Sequence, residues 1–204
     1  MRNLCREEEK RETTAPTISA YLLICVYLVT DARLRSGEKA RSLVSDETDQ
    51  KSTRRLVLAV VVSILFLLLA PLFNYFRFGR LGTGIFPGWF GVGIMGLGIA
   101  LRAWSTRVLG RFYTRTLLIT PDHGVVQEGP YRLVRHPGYS GSLLVWIGAG
   151  LAASNWIVFS IVTLVCLIAY IYRIQSEEAM LIARFGKEFE EYIQRTKRLI
   201  PYLY

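Results

Sequence analysis

Hydrophobic residues in this chain gather in long runs separated by charged stretches, so run length is the first signal to read. Leu56–Phe76 (LVLAVVVSILFLLLAPLFNYF) is uncharged and has the length an α-helix needs to cross about 30 Å of hydrocarbon. Pro71 predicts a kink near one end of it. An earlier run, Ala15–Thr30, is shorter and equally free of charge. A third, Gly82–Ala100, carries Gly84, Gly88, Gly91, Gly93, Gly96 and Gly98. In a membrane such small residues let neighbouring helix backbones approach closely. The fourth apolar region, Ser140–Tyr172, is too long for one span and is interrupted at Ser154-Asn155-Trp156. It reads as a hairpin of two short helices, 141–154 and 156–172. Beyond Tyr172 charge returns. Leu181, Phe185 and Phe189 then recur every four residues, with Tyr192 and Ile193 extending the stripe. That spacing predicts an amphipathic terminal helix lying against the bundle or the membrane interface.

The pattern therefore predicts an all-α integral membrane protein of about five transmembrane helices. Met1–Thr13 is polar and reads as a mobile tail. Residues 14–101 hold the first three spans and a polar loop, 31–55. Residues 102–204 hold a second polar loop, 102–140, the C-terminal helical hairpin and the terminal helix.

Charge orients this arrangement. The chain has 25 Lys and Arg against 16 Asp and Glu, a formal net charge of +9. The positive charges flank apolar runs, as positive-inside topology requires. Seven lie in 31–55, five in 105–140 and six in 173–204, against four in the N-terminal tail and two, Arg77 and Arg80, between the second and third spans. Eighteen against six puts both long loops and the C-terminus in the cytoplasm, with the N-terminus outside. The same basic residues form no stacking platform, so nucleic acid is not an expected partner. Cys5, Cys25 and Cys166 are scattered and give neither a disulfide framework nor a metal spacing. The first residues lack the basic start and apolar core of a cleaved signal.

One familiar motif is a false lead. Gly91-Val92-Gly93-Ile94-Met95-Gly96 matches G-x-G-x-x-G, but no strand precedes it and Arg111 occupies the position where a dinucleotide site needs an acid. It reads as helix packing. The stretch His123–Gly141 is richer. It packs two histidines, two tyrosines, two arginines and the turn pairs Gly129-Pro130 and Pro137-Gly138 into 19 residues. Ser140 and Gly141 open the next helix, whose free N–H groups suit a carboxylate. Positive-inside charge explains the arginines here, but not the aromatic and turn residues among them. A second cluster, Arg173–Glu178, sits where the last span ends. Arg173 and Glu177 are four apart and share a helix face. The bland alternative is a surface ion pair of little value. Ionisable groups at a membrane boundary shift the balance towards function. His123 and His136 have no neighbouring cysteine, so no metal site is expected. Ser140 and Ser142 lack the strand–turn–helix setting of a hydrolase nucleophile.

Together the clusters resemble a known family. The pattern Gly129-x-Tyr131-Arg132-x-x-Arg135-His136-Pro137-x-Tyr139-x-Gly141, a helical hairpin, Glu177-Glu178-x-x-Leu181-x-x-x-Phe185-Gly186-x-x-Phe189-x-x-Tyr192 and Pro201 is similar to the isoprenylcysteine carboxyl methyltransferases and their prokaryotic relatives. It covers Thr116 to Pro201. Phe189 replaces the tyrosine usual after Phe185-Gly186, and the N-terminal spans carry no matching motif. Phospholipid N-methyltransferases and sterol reductases are similar in the same region.

The resemblance implies S-adenosylmethionine as cofactor, with S-adenosylhomocysteine as product, and makes 102–140 a cytoplasmic cofactor-binding loop. His123, Gly124, Val125 and Val126 match a segment that encloses the cofactor, and Tyr131 matches a cofactor-binding tyrosine. His136, Pro137, Gly138 and Tyr139 match the stretch holding its amino-acid end. Glu177 matches a cofactor-binding acid, and Arg173 an arginine assigned to the substrate carboxylate. These make Arg173 and Glu177 the expected catalytic pair. The expected partners are membrane lipid and a lipophilic carboxylate substrate, a prenylated cysteine or similar. A carboxylate is already ionised at neutral pH, so transfer needs alignment and desolvation more than a base. An arginine is a poor neighbour for a cationic amine head group, so Arg173 favours an acid acceptor. The alternatives are phospholipid N-methyl transfer, a reductase of the sterol type, and a non-enzymatic membrane protein.

Overall fold

The computed structural model describes residues 2–34, 47–81, 85–110 and 125–201. Among these residues the chain is helical, with two isolated bridges and no named strand. We number the helices α1 (Arg2–Leu34), α2 (Glu47–Tyr75), α3 (Ile85–Leu109), α4 (Pro137–Ala152), α5 (Trp156–Phe185) and α6 (Lys187–Arg195). Four of them, α1, α2, α3 and α5, contain stretches long and apolar enough to cross a membrane. The fifth expected span, α4, has 16 residues and so rises only about 24 Å. It is short for the bilayer and is paired along its length with α3 and α5. The polar stretch before the first apolar run, read as a tail, continues α1 back to Arg2. Its Glu and Lys residues are good helix formers. Pro71 lies within α2, close to its end.

The glycines of α3 have a directional use. A Cβ on Gly91 would lie 2.5 Å from the Gly148 carbonyl of α4, and one on Gly148 would meet Gly91 equally closely. Gly98 and Gly141 face each other in the same way one step along. The two backbones are therefore in near contact, as small residues permit. Gly93 and Gly96 meet nothing within 4 Å. The G-x-G-x-x-G match is thus partly packing and partly an outward face.

Side chains sort as a bilayer would sort them. Val57, Leu58, Val61, Leu65, Leu68 and Leu72 of α2 point outward, while Trp146, Met95, Val145, Val158 and Val162 are fully enclosed. Tyr27 of α1 meets the Trp146 ring edge-on, at 6.4 Å between centroids. Cys166 is enclosed beside Ser63 of α2, with Sγ and Oγ 3.3 Å apart.

The interruption at 154–156 is the corner of the hairpin. Ser154 adopts a positive φ of 51°. Asn155 then caps α5, its Oδ1 accepting from the N–H groups of Ile157 and Val158 at 3.1 and 3.2 Å. Its Nδ2 donates to Asn74 Oδ1 and to the Phe78 carbonyl, both at 2.8 Å. Asn74 donates in turn to the Ala153 carbonyl. Every amide group at this corner is satisfied without a charge.

At the other end the sequence reading is corrected. The terminal helix does not start after Tyr172. Instead α5 runs on to Phe185, and the turn comes at Gly186, whose φ is +53°. A residue without Cβ adopts that conformation freely. The apolar stripe is therefore split. Phe189 and Tyr192 of α6 are buried, while Phe185 belongs to the last turn of α5.

Candidate active site

The hairpin brings the two sequence clusters side by side. His136 and Pro137 open α4, and Arg173 to Glu178 lie on the last turns of α5. The Tyr139 hydroxyl donates to Glu177 Oε2 at 2.8 Å and accepts from Arg173 Nε at 3.4 Å. The helix-face pair Arg173–Glu177 is thus joined through a tyrosine from the neighbouring helix. His136 stacks on Tyr139 at 5.7 Å between centroids, and Tyr170 packs against the same ring at 5.5 Å. His136 Nδ1 stands 3.9 Å from Glu177 Oε2.

The adjacent acids have different surroundings. The Glu177 side chain keeps 27% exposure, while that of Glu178 keeps 6%. Glu178 Oε1 accepts from Arg135 Nε at 2.9 Å and stands 3.4 Å from His136 Nε2. Its Oε2 accepts from Arg198 Nε and Nη2 at 2.9 and 2.8 Å. Two guanidiniums on one enclosed carboxylate compensate its desolvation. Arg135 also donates to the carbonyls of Ile193 and Thr196. The backbone N–H groups of Arg135 and His136 bond to the Lys197 and Arg198 carbonyls, and Ser140 reaches that of Leu199. The segment after α6 is therefore laced to the loop that presents His136.

The remaining candidates among the described residues have their places. Tyr131 lies buried in the short 3₁₀ turn Gly129–Arg132, its hydroxyl directed at the Ser105 carbonyl and its own carbonyl accepting from Tyr192 at 2.6 Å. Burial raises the Tyr192 phenol above its ordinary range and keeps it a neutral donor. Val125 and Val126 are half-buried just ahead of this turn. Pro137 is enclosed at the first position of α4. Gly138 runs so close to α3 that a Cβ would sit 2.8 Å from Arg102 Nη1. His123 and Gly124 lie outside the described residues.

Several participants were not among the sequence candidates. Arg102 of α3 is buried and pairs with Asp31 of α1 at 3.0 Å. Arg173 Nη1 donates to Ser52 and Thr53 of α2 at 3.0 and 3.1 Å. Arg135 and Glu178 fall within the recognised pattern, and their adjacency to His136 and Glu177 was the available signal. Arg198 gave none, since it lies beyond any periodic stretch.

The family model described as phospholipid methyltransferase matches residues 86–188, half of the chain. A sequence from Oryza sativa subsp. indica, named probable protein-S-isoprenylcysteine O-methyltransferase, is 31% identical over 145 residues, covering 70% of this chain and 76% of the relative. The chain belongs to the isoprenylcysteine carboxyl methyltransferase family. Similarity to known proteins reaches beyond the C-terminal motifs. The cobalt-zinc-cadmium resistance protein CzcN of Cupriavidus metallidurans is 30% identical over 177 residues, 86% of this chain and 76% of that protein. The solved structure of a eukaryotic intramembrane Ras methyltransferase, an isoprenylcysteine carboxyl methyltransferase, superposes with a TM-score of 0.59 at 25% identity. That match covers 79% of this chain, which spans 55% of the solved one.

Proposed function

We infer that this protein transfers a methyl group from S-adenosylmethionine to the carboxylate of a lipophilic substrate, a prenylated cysteine or similar, at the cytoplasmic membrane face. The observation that carries this reading is the meeting of Arg173, Tyr139 and Glu177 where α4 begins and α5 leaves the apolar zone.

The residues present fit the cofactor. Its cationic portions call for an acid that is held in place yet open, and Glu177 is oriented by Tyr139 while remaining partly exposed. Its carboxylate calls for a helix N-terminus, and α4 starts at Pro137 with no side-chain cap from His136. His136 and Tyr139 offer stacked rings beside that helix end. Bound there, S-adenosylmethionine supplies a methyl group on a sulfonium, a good leaving group.

The chain's own contribution is to bind, orient and dry the acceptor. Arg173, 4% exposed, presents a guanidinium with which a carboxylate forms charge-assisted hydrogen bonds. Exclusion of water around it strengthens that contact and strips the nucleophilic oxygen of competing solvent. The neighbouring outward faces of α1 and α2 are apolar, so a prenyl chain can lie in the bilayer while its polar end reaches Arg173.

Calorimetric titration with S-adenosylhomocysteine, followed by turnover of an acid, an amine and a thiol acceptor, tests the reading. The wild type binds the product and methylates the acid. Glu177→Gln weakens S-adenosylhomocysteine binding tenfold or more, on the order of the loss of one charged hydrogen bond. Arg173→Ala keeps that binding and loses about a thousandfold in acceptor kcat/KM, as for truncating one partner of a buried charge contact. An Arg173→Ala protein with full acceptor turnover overturns the assignment.

A further inference from the structure

The arginine proposed to take the acceptor carboxylate is held by a part of the chain that carries no family motif. Ser52 and Thr53 lie in the first turns of α2, and Arg173 in α5. Arg173 Nη1 donates to Ser52 Oγ at 3.0 Å and to Thr53 Oγ1 at 3.1 Å. Ser52 is 3% exposed. Arg55, three residues on and so on the same face as Ser52, sets its guanidinium 4.5 Å over the ring of Tyr172, the residue before Arg173. One turn of α2 therefore grips two consecutive residues of α5 by different chemistries.

These contacts have a chemical consequence for the site. A guanidinium on a flexible stem must be fixed before it can aim a carboxylate oxygen, and fixing it in advance removes the ordering cost from the binding step. Nε is tied to Tyr139 and Nη1 to the two hydroxyls, so opposite edges of one planar group are anchored from α4 and α2. Ser52 and Thr53 are neutral anchors, and a hydroxyl is itself both acceptor and donor. It can accept from Arg173 at rest and turn its O–H toward an arriving carboxylate.

We propose that Ser52 and Thr53 are positioning residues for the acceptor carboxylate, acting through Arg173, which makes the start of α2 a determinant of which acceptors are methylated. This rests on the carboxyl methyltransferase reading above. It goes beyond that reading by assigning a role in acceptor selection to the N-terminal half of the chain.

The test uses the full-length protein in detergent with N-acetyl-S-farnesyl-L-cysteine and its carboxamide, which lacks the negative charge. In the wild type the acid binds about tenfold more tightly than the amide. In the Ser52→Ala/Thr53→Val double variant that ratio falls towards one and the acceptor KM rises about tenfold. S-adenosylhomocysteine affinity stays within twofold and kcat within threefold. Thr53→Ser, which keeps the hydroxyl, behaves as wild type. An unchanged acid-to-amide ratio in a double variant that still binds S-adenosylhomocysteine overturns the proposal. So does a parallel loss of acid, amide and S-adenosylhomocysteine binding, which marks a purely structural contact. If the double variant fails to fold, Ser52→Ala and Thr53→Val are measured singly by the same ratio. A wild type that binds S-adenosylhomocysteine yet methylates only an amine or thiol sinks the acid reading, and this proposal with it.

Discussion

The two ends of the α4–α5 hairpin both bury polar side chains, but by different means. At the corner, Asn155 and Asn74 satisfy each other, two backbone carbonyls and the N-terminus of α5 with neutral hydrogen bonds. Asn155 has no exposed surface. At the far end, Arg135, Arg198, Glu178, Arg173 and Glu177 form a charged group that is graded in exposure, from Glu178 inside to Glu177 and Arg198 at the edge. A neutral, closed knot fixes a turn and does nothing else. A charged group costs more to enclose, and here Glu177 and Arg198 keep partial exposure. The difference separates scaffold from candidate site within one supersecondary unit.

The sharpest way to break this comparison is to remove the hub of the charged end. Glu178→Ala leaves Arg135 and Arg198 facing each other without their shared carboxylate. The expected loss is about 3–5 kcal/mol, the range for breaking a buried pair, read as a lower thermal midpoint in detergent. The segment 196–199 should also become accessible to protease, because Arg135 holds it through side chain and backbone together. A variant with unchanged midpoint and unchanged protection would mean that Glu178 is not the clamp. The corner responds less. Asn155→Ala removes a helix cap and orphans Asn74 Oδ1 and the Phe78 carbonyl, a combined cost of about 2–4 kcal/mol. Acceptor KM and S-adenosylhomocysteine affinity of the protein that remains folded should stay at wild-type values. If they move, the two ends are coupled and the division into scaffold and site fails.

Legibility in the sequence follows the same division. The apolar runs located the four long helices, and Ser154-Asn155-Trp156 located the corner, because an uncharged run and a polar break are local signals. The end of α5 was misplaced because the stripe at Leu181, Phe185, Phe189 and Tyr192 keeps helical spacing across Gly186, and spacing is blind to one glycine at positive φ. In the candidate site, Arg173, Glu177, His136 and Tyr139 were legible as two short clusters that the hairpin joins. Ser52, Thr53, Arg102 and Asp31 were not. None belongs to a motif, 71 residues separate Asp31 from Arg102, and 121 separate Ser52 from Arg173. Such pairs are fixed only when α1, α2 and α3 pack against the hairpin.

The smallest effect discriminates most finely. Tyr139→Phe removes one hydroxyl and keeps the ring packed against His136 and Tyr170. That hydroxyl gives Glu177 its 2.8 Å donor and Arg173 its 3.4 Å acceptor. Glu177 is open enough to regain a water, and Arg173 keeps Ser52 and Thr53, so stability should fall by no more than about 1 kcal/mol. Function should move on both sides at once. S-adenosylhomocysteine affinity and acceptor KM should each worsen severalfold, about 1 kcal/mol apiece, because the hydroxyl orients the acid and the arginine together. This contrasts with Ser52→Ala/Thr53→Val, which should move the acceptor alone. If Tyr139→Phe shifts only one of the two, the tyrosine serves a single ligand. Glu177 and Arg173 then act independently, and the charged end is two adjoining sites. A shift in both, with the thermal midpoint held, marks one polar unit in which a neutral hydroxyl sets the geometry of opposite charges four residues apart on α5.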